Sequence, residues 1–183
     1  MSKTGQRLLF NRQPLFFRKN LCYLAVENNP VIVLLTAVDS PEKQEGCMPA
    51  SFEMKMKVPF HHLDPLQVVW HGNYFKYFDR VRFGLFENAG IDLYRYQVEN
   101  RYLFPLTKNT IKHIAPLGRN AEFICRATVT EARYKIVMAF EIRLAETGKL
   151  CTRCTSEQVA IKTPAMELDY MIPADIREAL GFD

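Results

Sequence analysis

What this 183-residue sequence lacks narrows its function first. It has no block of like charges. Its 24 basic and 20 acidic side chains are spread along the chain and leave a net charge of +4. So mild an excess gives a nucleic-acid surface little support. It suits a phosphate-bearing small molecule, and equally an ordinary solvated face. No apolar stretch has membrane-spanning length. The block Val31–Val38 is eight residues, where a spanning helix needs about 20. It also starts too far into the chain, and lacks an A-x-A site, for a signal-peptide core. The cysteines form no framework: Cys22, Cys47, Cys125, Cys151 and Cys154 are odd in number and irregular in spacing. Cys151 and Cys154 make a C-x-x-C, but in a strand-like segment where such positions face opposite sides. No second Cys or His pair accompanies them for zinc. Reduced thiols in a cytoplasmic protein are expected.

What is present is aromatic bulk, with thirteen Phe and eight Tyr. That suits a sheet packed on a helix, or an apolar ligand tunnel. Residues 1–50 read as an N-terminal extension outside the folded domain. Basic and apolar runs broken by Glu27–Pro30 give way to the polar linker Asp39–Ala50. An intact residue 1 in protein purified from its native host would contradict this reading. The domain is expected over 51–183.

From Ser51 the chain is orderly. Phe52, Met54, Met56 and Val58 alternate with charged residues, the period of a half-buried strand. After a loop through Asp64-Pro65, apolar residues at 74, 77, 78, 81, 85 and 89 predict a helix from Asn73 to Gly90. Asn73 is its expected N-cap and Gly90 its stop. Four strand-like stretches follow: 102–117, "AEFICRATVTEA", "YKIVMAFEIRLAE" and 149–162. The last three read as an antiparallel meander, separated by turn residues. Pro173 and Gly181 bracket a short terminal helix. One strand, one long helix and four strands fit an α+β fold, a five-stranded antiparallel sheet around a single helix. The sheet's open edge invites pairing with a second copy.

The chemistry-bearing stretch is "FHHLDPLQVVWHGNYFKYFDR", Phe60 to Arg80. Pro65 stiffens the loop and biases Asp64 away from helical angles. Leu66–Trp70 offers an apolar wall. His71, Gly72 and Asn73 lead into the helix, whose free N–H groups and dipole favour developing negative charge. A carboxylate beside such a place acts as base or nucleophile toward an activated carbonyl. An Asp before a helix is also commonly only a cap.

The stretch from Asp64 to Gly90 resembles the signature of the hotdog-fold thioesterases, specifically the 4-hydroxybenzoyl-CoA thioesterase-like family. Asp64, Pro65, Val69, Trp70, His71, Asn73, Tyr74, Asp79 and Arg82 fit it in order and spacing. The element order from about Ser51 to Lys162 agrees. The resemblance implies that Asp64 is the catalytic acid, as nucleophile or general base. It implies that the backbone N–H of His71 polarises the thioester carbonyl. Trp70, Gly72, Asn73 and Tyr74 become candidate substrate contacts. It implies catalysis without metal or other cofactor, an acyl-CoA or acyl-carrier-protein substrate, and a homodimer or homotetramer with sites at subunit interfaces. Two positions depart from the pattern. Gln67 stands where relatives often have Gly, and Phe60 where many have Tyr.

Other residues read as structural. Adjacent His61 and His62 on an extended segment diverge, which argues against metal. His113 is alone in a strand. Asp79 and Arg82 are an expected helix-surface or interface pair. Two rivals to a thioesterase stay open: a hotdog 3-hydroxyacyl-thioester dehydratase, with a His and an acid across the substrate, and a non-catalytic acyl-thioester binding module. Residues 1–50 show no helix-turn-helix pattern that would favour a regulator.

Overall fold

The computed structural model describes residues 48–183. Apart from Met48–Ala50, the expected N-terminal extension lies outside the described residues, as do Val31–Val38, Cys22 and Cys47. The elements, in chain order, are β1 (Ser51–Lys57), α1 (Tyr74–Asn88), α2 (Leu93–Asn100), β2 (Tyr102–Leu103), β3 (Leu106–His113), β4 (Glu122–Glu131), β5 (Ile136–Leu144), β6 (Leu150–Gln158), β7 (Ala160–Lys162), β8 (Glu167–Asp169) and α3 (Ala174–Ala179).

The alternating pattern of β4 and β5 puts Phe123, Cys125, Ala127 and Val129 beside Ile136, Met138, Phe140 and Ile142 on one fully buried face. β4, β5 and β6 form the expected meander. β1 closes one side against β4 and β3 the other against β6, giving an antiparallel sheet in the order β1-β4-β5-β6-β3. The five-stranded antiparallel sheet with a helix packed on it is the hotdog architecture expected from the sequence.

α1 covers the buried face. Tyr77 meets Phe123 at 4.8 Å and Phe78 meets Phe140 at 5.1 Å between ring centroids. Each such ring, fully buried, stabilises the fold by about 1.5–3 kcal/mol. Gly84 permits the close approach, since a Cβ there would lie 2.5 Å from the Phe52 ring on β1. Gly90, at φ +77°, ends the helix. Its N–H bonds the Glu87 carbonyl, and the Ile91 N–H bonds the Phe86 carbonyl, which satisfies the last turn.

Five features differ from the sequence expectation. α1 is shorter at both ends, because His71–Asn73 form a separate 3-10 turn and the chain leaves the helix before Gly90. The 102–117 stretch is two strands, broken at Phe104-Pro105, where Pro supplies no N–H to a ladder. β2 joins β7 and β8 in a second, three-stranded sheet, so 149–162 also divides, at Val159. α2 was not anticipated. It buries no residue fully, so its apolar stripe is weak, and its start rests on Asp92 accepting from the Arg95 N–H at 3.0 Å.

Arg82 is the fifth. It pairs with Asp79 but is no surface residue, being only 5% exposed. Position 82 shares the inward face of α1 with Phe78 and Leu85, so its guanidinium lies 5.4 Å over the Phe140 ring. Burial lowers its pKa, and Asp79 acts in the opposite direction.

Candidate active site

The segment between β1 and α1 is held by a buried histidine. Phe60–His62 is a 3-10 turn and not an extended run. The two imidazoles therefore do not diverge as expected: their centroids are 4.6 Å apart, with His61 exposed and His62 buried. His62 Nδ1 lies 2.8 Å from the Tyr77 hydroxyl of α1. Its carbonyl accepts from the Trp70 N–H at 2.9 Å and from Asn73 Nδ2 at 3.1 Å. The Asn73 side chain thus ties the loop down and makes no cap hydrogen bond to α1. Burial lowers the His62 pKa, helped by the charges of His61 and Lys76. Burial pushes the Tyr77 hydroxyl up to about 12. Tyr77 therefore keeps its proton and shares one hydrogen bond with Nδ1 of His62.

Asp64 opens a tight turn above this anchor. The Gln67 N–H bonds the Asp64 carbonyl at 3.0 Å, and the Asp64 N–H bonds the Val68 carbonyl at 2.8 Å. Pro65 fits the turn's second position, where φ is fixed near −65°. Gln67 closes it at φ +61°, a left-handed conformation that favours glycine. This accounts for the glycine that similar sequences often carry there. The backbone needs it, and here a glutamine bears the strain. One carboxylate oxygen, Oδ1, accepts from the Leu66 N–H at 2.8 Å and the Val68 N–H at 3.4 Å. The turn therefore fixes the carboxylate's orientation through one oxygen.

The chain then reaches α1 through His71–Asn73. Among the described residues, the amides of His71 and Gly72 meet no acceptor, whereas the Asn73 N–H bonds the Trp70 carbonyl at 2.9 Å. Two free N–H groups at a helix start form an electropositive point. Trp70 folds over this turn. A Cβ on Gly72 would fall 2.1 Å from the indole, so Trp70 can seat here only over a residue without a side chain. The indole also lies 4.8 Å from the His71 ring.

A pocket of about 310 Å³ lies alongside, lined by Asp64, Val68, Val69, His71, Tyr74 and, from the end of β3, His113 to Pro116. Its size is at the lower end for ligand sites and suits one reacting group. Of the six predicted site residues, Asp64, His71 and Tyr74 line it. Trp70 and Gly72 form the adjoining turn, and Asn73 points inward to His62.

His113, read from sequence as structural, also lines this pocket, a placement the sequence did not indicate. Its ring packs edge-on against Tyr74 at 4.6 Å. The loop and the end of β3 are stitched together. Val69 N–H bonds the Leu117 carbonyl at 2.9 Å, and Val68 bridges Gly118. The N–H groups of Ile114 and Ala115 both bond the Cys151 carbonyl on β6. No local motif around His113 carried this information, because the pairing spans more than forty residues of sequence. Burial lowers the His113 pKa, and the nearby His71 lowers it further.

A larger cleft, about 580 Å³, lies between α1 and α2 and is lined by Phe83, Phe86, Glu87, Ile91, Asp92 and Tyr94 among others. It offers carboxylates and a phenol without a basic side chain, so the smaller pocket is the better chemical site. Among the described residues, no three His, Cys, Asp or Glu side chains converge to hold a metal ion, and no helix is long and apolar enough to cross a membrane.

The family described as the thioesterase-like superfamily matches residues 58–180. No curated protein matches the chain. Solved structures do. The 4-hydroxybenzoyl-CoA thioesterase of Pseudomonas sp. strain CBS-3 is 20% identical, with a TM-score of 0.64 over 71% of this chain and 99% of that one. A 1,4-dihydroxy-2-naphthoyl-CoA thioesterase from Synechocystis is 18% identical, with a TM-score of 0.64 over 71% and 95%. A DHNA-CoA thioesterase from Staphylococcus aureus is 19% identical, with a TM-score of 0.60 over 66% and 80%. At these identities the structural likeness speaks for the fold.

Proposed function

The chain belongs to the thioesterase-like superfamily, and from that premise we propose that it hydrolyses acyl-CoA thioesters, with Asp64 as the reacting carboxylate. The observation that carries this reading is the pairing, in one pocket, of Asp64 with a helix start whose His71 and Gly72 amides are free. The thioester carbonyl lies between them. Asp64 attacks the carbonyl carbon or activates water, and the amides stabilise the oxyanion. The thiolate leaves readily, so its departure needs little acid help. Tyr74 and the Trp70 turn bound the acyl and pantetheine path.

The active form is a homo-oligomer. β3 is an edge strand of its sheet, and the pocket beside its C-terminal end is open in the single chain. A second copy along that edge would cover both. Light scattering of the purified protein tests this, and a monomer at working concentration contradicts it.

Thiol release over a panel of aromatic and aliphatic acyl-CoAs tests the activity. Hydrolysis of at least one member that is lost in Asp64→Asn supports it. Two imidazoles and an acid in one pocket also give the dehydratase rival a footing. Enoyl product without free thiol from a 3-hydroxyacyl-CoA would favour that rival. Binding without either product would favour a carrier module.

A further inference from the structure

We propose that His113 is a catalytic residue of this site, the proton acceptor for the hydrolytic water. The inference rests on the hydrolase reading above and adds a group that the sequence pattern around Asp64 does not contain.

Three observations converge. First, His113 shares the pocket with Asp64 and His71, entering from the sheet while they enter from the loop and the helix start. The carboxylate and the His113 imidazole thus approach the same space from different walls, an arrangement suited to a carbonyl and a water held between them. Second, His113 is placed and not floppy. Its ring is braced on Tyr74, its strand pairs it opposite Thr152, and the next two amides are fixed to the Cys151 carbonyl. Third, its surroundings disfavour the protonated imidazole. The titratable groups that share its pocket are Asp64 from the loop, His71 from the 3-10 turn and Tyr74 from α1. Burial and His71 both act against a positive His113. A neutral imidazole at pH 7 is a base.

The step balances simply. Asp64 adds to the thioester carbonyl carbon, the C–S bond breaks, and the thiolate leaves an acyl–Asp64 anhydride. A water O–H gives its proton to His113 as its oxygen bonds the acyl carbon. The bond to the Asp64 oxygen then breaks, releasing the acid and restoring the carboxylate. His113 then returns its proton to solvent, from which the thiolate released in the first step takes one up.

The experiment uses the full chain and the acyl-CoA that wild type hydrolyses fastest. His113→Asn is expected to lower kcat about a hundredfold with KM falling in parallel, because kcat/KM reports the acylation step that survives. In rapid mixing it should release one thiol per site quickly and then turn over slowly, because acylation survives while deacylation is lost. His113→Ala should regain turnover with added imidazole, which fits the space that the side chain vacates, and a structural role would give no such rescue. Three results overturn the proposal while wild type stays active: unchanged kcat in His113→Asn, loss of the fast thiol phase together with turnover, or no rescue by imidazole in a folded His113→Ala. A wild-type protein that releases no thiol from any acyl-CoA removes the hydrolase reading itself, and this inference with it.

Discussion

Two histidine-bearing regions flank Asp64, and they are built on opposite plans. Below it, His62 is buried, its imidazole bonded to Tyr77 and its carbonyl shared by Trp70 and Asn73. Above it, His71 and His113 face an open pocket beside two amides without acceptors. The first region spends its polar groups on one another and so fixes the loop. The second leaves its polar groups unspent and so has something to offer a substrate. Buried polar groups that lose their partners are costly, whereas open ones cost little until a ligand arrives. Changes below Asp64 should therefore cost stability, and changes above it should cost activity.

The largest effect should come at Asp64. Asp64→Asn keeps the Oδ1 acceptor for Leu66 and Val68, so the turn survives. We expect kcat to fall about a thousandfold with the melting temperature unchanged. Near-normal turnover, or marked unfolding, would break the division. Next is His62→Ala, which empties a buried site and strands the Tyr77 hydroxyl. It should cost about 2–4 kcal/mol in urea unfolding. A full loss of activity with unchanged stability would place His62 in the chemistry instead.

Gly72→Ala tests the upper region again. The new Cβ must push the Trp70 indole away, disturbing the turn that presents the free amides. About a tenfold fall in kcat/KM is expected, with little change in Tm. An unchanged kcat/KM would remove Trp70 and its turn from the site.

A smaller effect is on pH dependence. His62 and His113 both have pKa values below the ordinary 6.5. The unfolded chain therefore binds protons near 6.5 that the folded chain resists. Their contribution is present above pH 6.5 and is lost as pH falls through the folded values. Stability should decline from pH 7.5 toward 5, and less steeply in His62→Gln. An identical slope in that variant would contradict the assignment. The smallest effect is at Gln67. Its left-handed backbone costs about 1–2 kcal/mol, a strain that glycine would relieve, less the larger entropy glycine loses on folding. Gln67→Gly should gain about 0.5 kcal/mol in thermal unfolding with activity kept. A loss of stability would mean that the glutamine side chain has a role of its own.

The sequence by itself determined the sheet-and-helix plan, because alternation in β1, β4 and β5 and the 3.6-residue spacing in α1 are local records of which side faces the core. It also placed Asp64 at a proline turn before a helix, since Pro65 and the aromatic run after Asn73 act within a few residues. It did not reveal the split at Pro105, the second small sheet or α2, where elements are short and their partners distant. It read Arg82 as half of a helix-surface or interface pair, because charge suggests solvent or a partner while position on α1 dictates the core. Tertiary structure alone decided that His62 turns inward, that the indole of Trp70 needs Gly72, and that β3 ends beside the Asp64 turn and brings His113 to it. Those outcomes depend on strands pairing across long separations, and no window of sequence contains both partners.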